Sequence, residues 1–184
     1  MKTCTILILA ALLLPAQALA YLAHAKTVRD GDSIAAYGPE DALVNLRLYG
    51  IDAPEYKQPY GLQAKKRLSK LLGKREFQVE PQDTDRYGRT VALLRLPDGT
   101  LVNEVLVAEG AAWVYDQYCR EADLCQRLRE LQDKARVERR GLWAEDNPTP
   151  PWNWRKEHKT EEWYKAPVRA VKRLTHKVKV VLHR

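Results

Sequence analysis

Turn residues cut most of this chain into short pieces, and that limits the folds open to it. Asp30-Gly31-Asp32, Gly38-Pro39, Pro54, the stretch from Asp85 to Arg89, and Pro97-Asp98-Gly99 each interrupt a run of apolar or β-prone residues. Strand-length segments are left at 23–28, 33–37, 43–49, 76–80 and 90–96. Pro54 ends the third of them because it cannot donate into a ladder. Helical spacing predicts a helix over 62–72, where Leu62, Ala64, Leu68, Leu71 and Leu72 recur among Lys65, Lys66, Arg67 and Lys70, closed by Gly73. A second helix is predicted over 103–109, stopped by Gly110. A third covers 124–139, with Leu124, Leu128, Leu131, Ala135 and at times Val137 inward, stopped by Gly141. Three strands, a helix, two strands and two helices, largely joined by hairpins, predict an α+β fold: a five-stranded Greek-key barrel with three packed helices. At 184 residues the chain is too short for a TIM barrel or a two-domain dehydrogenase.

Charge divides the chain. The last 30 residues, 155–184, carry ten of the 31 Lys and Arg but only three of the 24 Asp and Glu, so the whole net charge of +7 resides there. Any tendency to bind polyanions on charge alone belongs to this tail. Val168, Val171, Leu174, Val178 and Val181 fall near helical spacing within it. Both a basic amphipathic helix against a membrane or polyanion surface and a solvated arm fit that pattern. Before the tail, the Pro- and Trp-rich run 147–154 reads as an exit lying against the barrel. Trp113 and Trp143 are expected in the core, with Trp152 and Trp154 pinning the exit.

The first twenty residues read as an address. Lys2 precedes a ten-residue apolar run, 5–14, that Pro15 ends, and Ala18-Leu19-Ala20 has the small-x-small form of a cleavage site. The run is short of the roughly 20 residues a membrane span takes. The expected organisation is a cleaved signal over 1–20, one domain over 21–154 and a tail over 155–184, in a secreted or periplasmic protein. A second small-x-small triplet, Ala23-His24-Ala25, leaves the cut position open. Export leaves Cys119 and Cys125 as an even pair in an oxidising compartment, where a small-loop disulfide is expected; two buried free thiols are the alternative.

Three carboxylates, Asp32, Asp52 and Glu55, stand at turns or strand ends, where reactive groups are commonly placed. Taken singly, each is ordinary turn chemistry. Arg47 sits mid-strand between Leu46 and Leu48, where a guanidinium needs an anion or an exposed face, and Arg89 closes a tight turn. Five segments taken together are more specific: Asp30-Gly31-Asp32-Ser33; Leu46-Arg47-Leu48 through Asp52-Ala53-Pro54-Glu55; Thr84-Asp85-Arg86-Tyr87-Gly88-Arg89; Leu101-Val102-Asn103-Glu104; and Gly141-Leu142-Trp143. In this order and spacing, over roughly 24–146, the chain resembles the staphylococcal nuclease-like family.

That resemblance implies an OB-fold and Ca2+-dependent hydrolysis of phosphodiester bonds in DNA and RNA, of the endonuclease kind, leaving a 5′-hydroxyl. It assigns Asp32, Asp52 and the carbonyl of Ala53 to the metal, Arg47 and Arg89 to the phosphate, and Glu55 to the attacking water. Arg86 and Tyr87 match positions that contact the nucleotide end, and Tyr115 and Tyr118 loosely echo a pair of nucleotide-contacting tyrosines. Two departures stand out. Ala53 replaces the family's threonine, which removes a hydroxyl, and the stretch 56–60 is short. A monomer is expected. The competing reading is an OB-fold module that binds nucleic acid or another polyanion without catalysis; such a degraded copy is expected to lack several of these acids and arginines, and all five are here.

Overall fold

The computed structural model of this chain describes residues 19–158. All of the expected signal except Leu19 and Ala20, and the expected tail beyond residue 158, lie outside the described residues. Seven strands follow in order: β1 (Tyr21–Val28), β2 (Ser33–Tyr37), β3 (Leu43–Leu48), β4 (Ile51–Asp52), β5 (Glu76–Thr84), β6 (Thr90–Arg95) and β7 (Trp113–Val114). The helices are α1 (Gly61–Leu72), α2 (Val102–Ala108), α3 (Ala122–Val137) and α4 (151–158).

Five strands close into a barrel in the order β1-β2-β3-β6-β5, with β5 returning to β1; β4 and β7 form a separate two-stranded ladder. All barrel pairs are antiparallel except β3 with β6. Period-two alternation builds the interior. Ile34 and Ala36, Leu46 and Leu48, Phe77 and Val79, and Ala92 and Leu94 are buried two by two on successive strands. Each large side chain of this set contributes about 1.5–3 kcal/mol by leaving water. Helix α1 adds Ala64, Leu68, Leu71 and Leu72 to the same core. This is the α+β, five-stranded barrel that the turn pattern predicts, and it fits the OB-fold that the family resemblance implies.

The structure departs from the sequence reading in several places: the short β4–β7 ladder is not among the predicted strands, and Val137, expected inward on the third helix, is 84% exposed at the end of α3. Leu62, counted on the inner face of α1, is 42% exposed, because it lies one position off the stripe set by Ala64 and Leu68. Strand β5 runs past residue 80 through Pro81 to Thr84; the register shifts between Pro81 and Asp83, and a bulge tolerates a residue without an N–H. The described residues hold four helices rather than three. Pro151 opens α4 at a position where its fixed φ favours a first turn, and the N–H groups of Asn153 and Trp154 donate to the Pro150 carbonyl. The expected boundary between 154 and 155 falls inside this helix.

Two polar residues lock the helices to the barrel. Buried Asn103 donates to the carbonyls of Tyr49 (2.9 Å) and Ala92 (3.4 Å) and accepts from the Leu94 N–H (3.1 Å). The Tyr49 hydroxyl accepts the N–H groups of Arg120 and Glu121 just ahead of α3. Nearby, Cys119 and Cys125 are joined, with Cα atoms 5.8 Å apart. No helix among the described residues is long and apolar enough to cross a membrane.

Candidate active site

The site begins where β2 begins. In the turn before it, Asp30 Oδ1 accepts the Asp32 N–H at 3.1 Å, which bends the chain so that Asp32 faces inward. Gly31 makes this approach feasible: a Cβ there would come within 2.6 Å of Ala53 Cβ and 2.8 Å of Ala64 Cβ. The Ala53 N–H then donates to Asp32 Oδ2 at 2.6 Å, tying the end of β4 to the start of β2.

Register brings in the arginine. Arg47 on β3 pairs with Ser33 on β2, next to Asp32. Its guanidinium spans two carboxylates, Nη1 to Asp32 Oδ1 and Nη2 to Asp52 Oδ1, both at 2.5 Å. Asp32 is 1% exposed and Asp52 fully buried, so the mid-strand cation has the anion partner its position demands. Burial raises the Asp32 carboxyl well above the usual range; Arg47 opposes this, and the nearby Asp30 and Asp52 add to it. Burial alone would lower Arg47, but the two aspartates outweigh it and hold the guanidinium charged.

Glu55 lies on a tight loop ahead of α1. Its N–H donates to Gln58 Oε1 (3.1 Å) and its carbonyl accepts the Gln58 N–H (2.8 Å). Its side chain is 35% exposed, open enough to meet solvent. At the other end of the site, the Asp85 carboxylate accepts the N–H groups of Tyr87 and Arg89 and takes the Arg89 Nε at 2.6 Å. Desolvation works against that charge, yet these hydrogen bonds prevail and hold the Asp85 carboxyl below its ordinary value. Arg89 Nη1 reaches Ser33 Oγ at 3.3 Å, and that hydroxyl donates to Asp32 Oδ1 at 3.0 Å.

Asp32, Arg47, Asp52, Ala53, Glu55 and Arg89 are thus brought together from four separate segments. Arg86 and Tyr87 flank them: Arg86 donates to the Tyr87 hydroxyl, and both Arg86 and Arg89 lie over the Tyr87 ring, which is 68% exposed. Tyr115 sits on the opposite flank, its ring stacked on Trp152 (5.2 Å, 4° between planes) and tilted against Tyr118. Burial and then the Asp52 charge raise the Tyr115 hydroxyl, against Arg155.

Arg155 is the residue that sequence reasoning missed. Placed there at the head of a solvated tail, it instead enters the site. Nη1 contacts Asp52 Oδ1 (3.1 Å) and Glu55 Oε1 (2.7 Å), and Nη2 contacts Asp52 Oδ2 (2.7 Å). The signal was Trp152 three residues earlier, which puts an anchor and a cation on one face of a helix turn.

Among the described residues, no three His, Cys, Asp or Glu side chains form a ready-made metal cage. The donors at hand are the oxygens of two buried carboxylates, Asp32 and Asp52. They suit a hard cation that keeps water in part of its shell, and they do not suit a soft one.

Buried carboxylates bridged by forked cations at a barrel end define a site for an anionic ester: arginine forks match its oxygens, and carboxylates can hold a cation and take up a proton. Residues 45–145 match the family described as staphylococcal nuclease homologue. An uncharacterized endonuclease of Escherichia coli O157:H7 is 42% identical over 134 residues, covering 72% of this chain and 84% of that protein. A micrococcal nuclease of Shigella flexneri is 39% identical over 145 residues, covering 72% and 79%. The staphylococcal-like nuclease CAN1 of Arabidopsis thaliana is 37% identical over 136 residues, covering 72% and 41%. The chain belongs to the staphylococcal nuclease homologue family and is a phosphodiesterase of the endonuclease type.

Proposed function

We propose that the mature chain is an exported nuclease that hydrolyses DNA and RNA, with Ca2+ as its cofactor and water as the nucleophile. The observation that carries this reading is one unbroken line of contacts: Arg89 to Ser33, Ser33 to Asp32, Asp32 to Arg47, Arg47 to Asp52, Asp52 to Arg155 and Arg155 to Glu55. Three acids and three arginines are linked in this line, a composition suited to phosphodiester hydrolysis.

Asp32, Asp52 and the Ala53 carbonyl would hold the cation, and Ala53 offers nothing beyond its backbone. Bound there, Ca2+ supplies charge that offsets the phosphate and polarises its oxygen. Arg47, fixed by two carboxylates, keeps further N–H groups to meet a phosphate oxygen, and Arg89 approaches from the Ser33 side. Each stabilises the charge that builds on the phosphoryl oxygens. Glu55, partly solvated, takes a proton from water as the water oxygen bonds to phosphorus and the opposite P–O ester bond breaks, and the leaving 5′-alkoxide takes a proton from solvent to depart as the hydroxyl. Tyr115 and Tyr87 flank the reacting group with rings on which bases can stack.

Export is supported by the position of β1. A cut after Ala20 leaves the strand whole, whereas a cut after Ala25 would remove Tyr21 to His24, which pair with β5. The joined Cys119 and Cys125 suit an oxidising compartment.

The test is cleavage of single-stranded DNA, duplex DNA and RNA by the purified mature protein in Ca2+, Mg2+, Mn2+ and EDTA. Cleavage in Ca2+ that stops in EDTA and returns on Ca2+ addition is expected. Intact polynucleotides in every cation would overturn the proposal.

A further inference from the structure

We propose that Arg155 is a third phosphate-binding arginine, beside Arg47 and Arg89, that shares Asp52 with the cation: it holds Asp52 and Glu55 while the cation is absent, gives up Asp52 as the cation binds, and turns to a phosphate oxygen of the polynucleotide. The proposal rests on the cation-dependent reading above and names a residue which that reading leaves without a task.

Arg155 is aimed by a packed helix. Trp152 lies edge-on against Trp113 (5.7 Å between centroids) and flat against Tyr115. Just upstream, Gln58 Nε2 donates to the Thr149 carbonyl at 2.6 Å, fastening the start of α4 to the loop that carries Glu55. One turn of helix after Trp152, the Arg155 fork therefore meets Asp52 and Glu55 on a fixed approach.

Both oxygens of Asp52 are taken. Oδ1 accepts from Arg47 and Arg155, and Oδ2 accepts from Arg155. A divalent ion on Oδ2 and a guanidinium on the same atom are like charges in contact, so each weakens the other's hold. Asp32 Oδ2 raises no such conflict, since it accepts from the neutral Ala53 N–H while the Arg47 guanidinium is held on Oδ1.

Charge balance gives the displaced fork its partner. Asp32, Asp52 and Glu55 against Arg47 and Arg155 leave the cluster at −1, while Arg89 and Asp85 cancel one another. A divalent ion brings the cluster to +1, and one phosphodiester brings it to neutrality. Without Arg155 the loaded complex would carry a surplus negative charge. The fork also matches phosphate geometry in a way that a point charge does not. Cation and polynucleotide consequently support each other's binding through this side chain.

The experiment measures Ca2+ binding calorimetrically, without substrate, to the full mature protein and to Arg155→Gln and Arg155→Lys. Arg155→Gln is expected to bind Ca2+ about tenfold more tightly, a typical coupling between two sites. In cleavage at saturating Ca2+ its KM should rise about tenfold while kcat stays within about threefold, with Arg155→Lys recovering part of the loss. Arg155→Met, which also removes the charge and carries the same expectation, decides the matter should Arg155→Gln fail to fold. Unchanged or weaker Ca2+ binding in folded Arg155→Gln overturns the sharing of Asp52, and an unchanged KM overturns the phosphate role. If the wild type itself neither binds Ca2+ nor cuts, the parent reading fails. If it does both while Arg155→Gln binds Ca2+ as before, only this inference fails.

Discussion

Arg47 does two jobs with one guanidinium. It bridges Asp32 and Asp52, both out of water, and it faces the volume where an ester would bind. Removing one partner of a buried ion pair costs about 3–5 kcal/mol, because the other charge is left uncompensated. In EDTA, Arg47→Ala should therefore melt well below the wild type, by roughly the shift that such a loss produces in a domain of this size. Acid should narrow the gap. Burial already makes the folded Asp32 carboxyl bind its proton more tightly than the unfolded chain does. That contribution to stability is present at low pH and lost as pH rises through the raised value. Without Arg47 the effect grows, so thermal melts of variant and wild type should converge on acidification. A gap that is constant with pH would contradict it. At this scale much was legible. Asp32, Asp52, Glu55 and Arg89 stand at turns or strand ends and Arg47 lies mid-strand; singly they read as ordinary surface chemistry, and it is their joint order and spacing, resembling a known family, that singled them out. Arg155 was hidden because ten basic residues read as a solvated run. Its role depends on Trp152 docking against Trp113 and Tyr115, far away in sequence.

The loops of the barrel end carry the site, and their tolerances are tight. A Cβ on Gly61 would lie 1.8 Å from the Glu55 carbonyl oxygen, so Gly61→Ala must move the loop that presents Glu55. Misplacing a reacting group by about 1 Å costs on the order of a hundredfold in rate. Gly61→Ala should lose about that much kcat while its far-UV circular dichroism stays native; full activity would show that Glu55 tolerates displacement. The 85–89 turn makes the same point. Asp85→Ala removes the acceptor shared by the Tyr87 and Arg89 N–H groups and frees the Arg89 side chain. Its KM for polynucleotide should rise, with a barrel that still folds. The five barrel strands were readable because turn residues bound each β-prone run, and Ile34, Leu46, Phe77 and Leu94, one on each of four of them, are buried. The extension of β5 through Pro81 and the helix after Pro150 were not. A proline reads as a breaker until a bulge or a first helical turn gives it a place.

The molecule as a whole separates a neutral catalytic barrel from a basic C-terminus. Because Arg155 belongs to the site, the informative truncation falls after His158 rather than before Arg155. A chain ending there should keep its cleavage rate at low salt and show a shallower dependence of DNA binding on salt, since fewer cations meet phosphates. An unchanged salt dependence would mean that residues 159–184 take no part in substrate binding. The Cys119–Cys125 bond spans a short loop and is worth roughly 2 kcal/mol by closure entropy. Cys119→Ser with Cys125→Ser should accordingly lower Tm without changing the rate at 25 °C. All of this is arranged around one claim, that buried acids and forked cations from separate segments act together on a phosphodiester. The most direct measurement is single-turnover cleavage of a defined DNA by wild type and Arg47→Ala, at saturating Ca2+ and below both melting transitions. A loss of a hundredfold or more in rate is expected, about 3 kcal/mol of transition-state stabilisation. A folded Arg47→Ala cutting within a few-fold of wild type would contradict that claim.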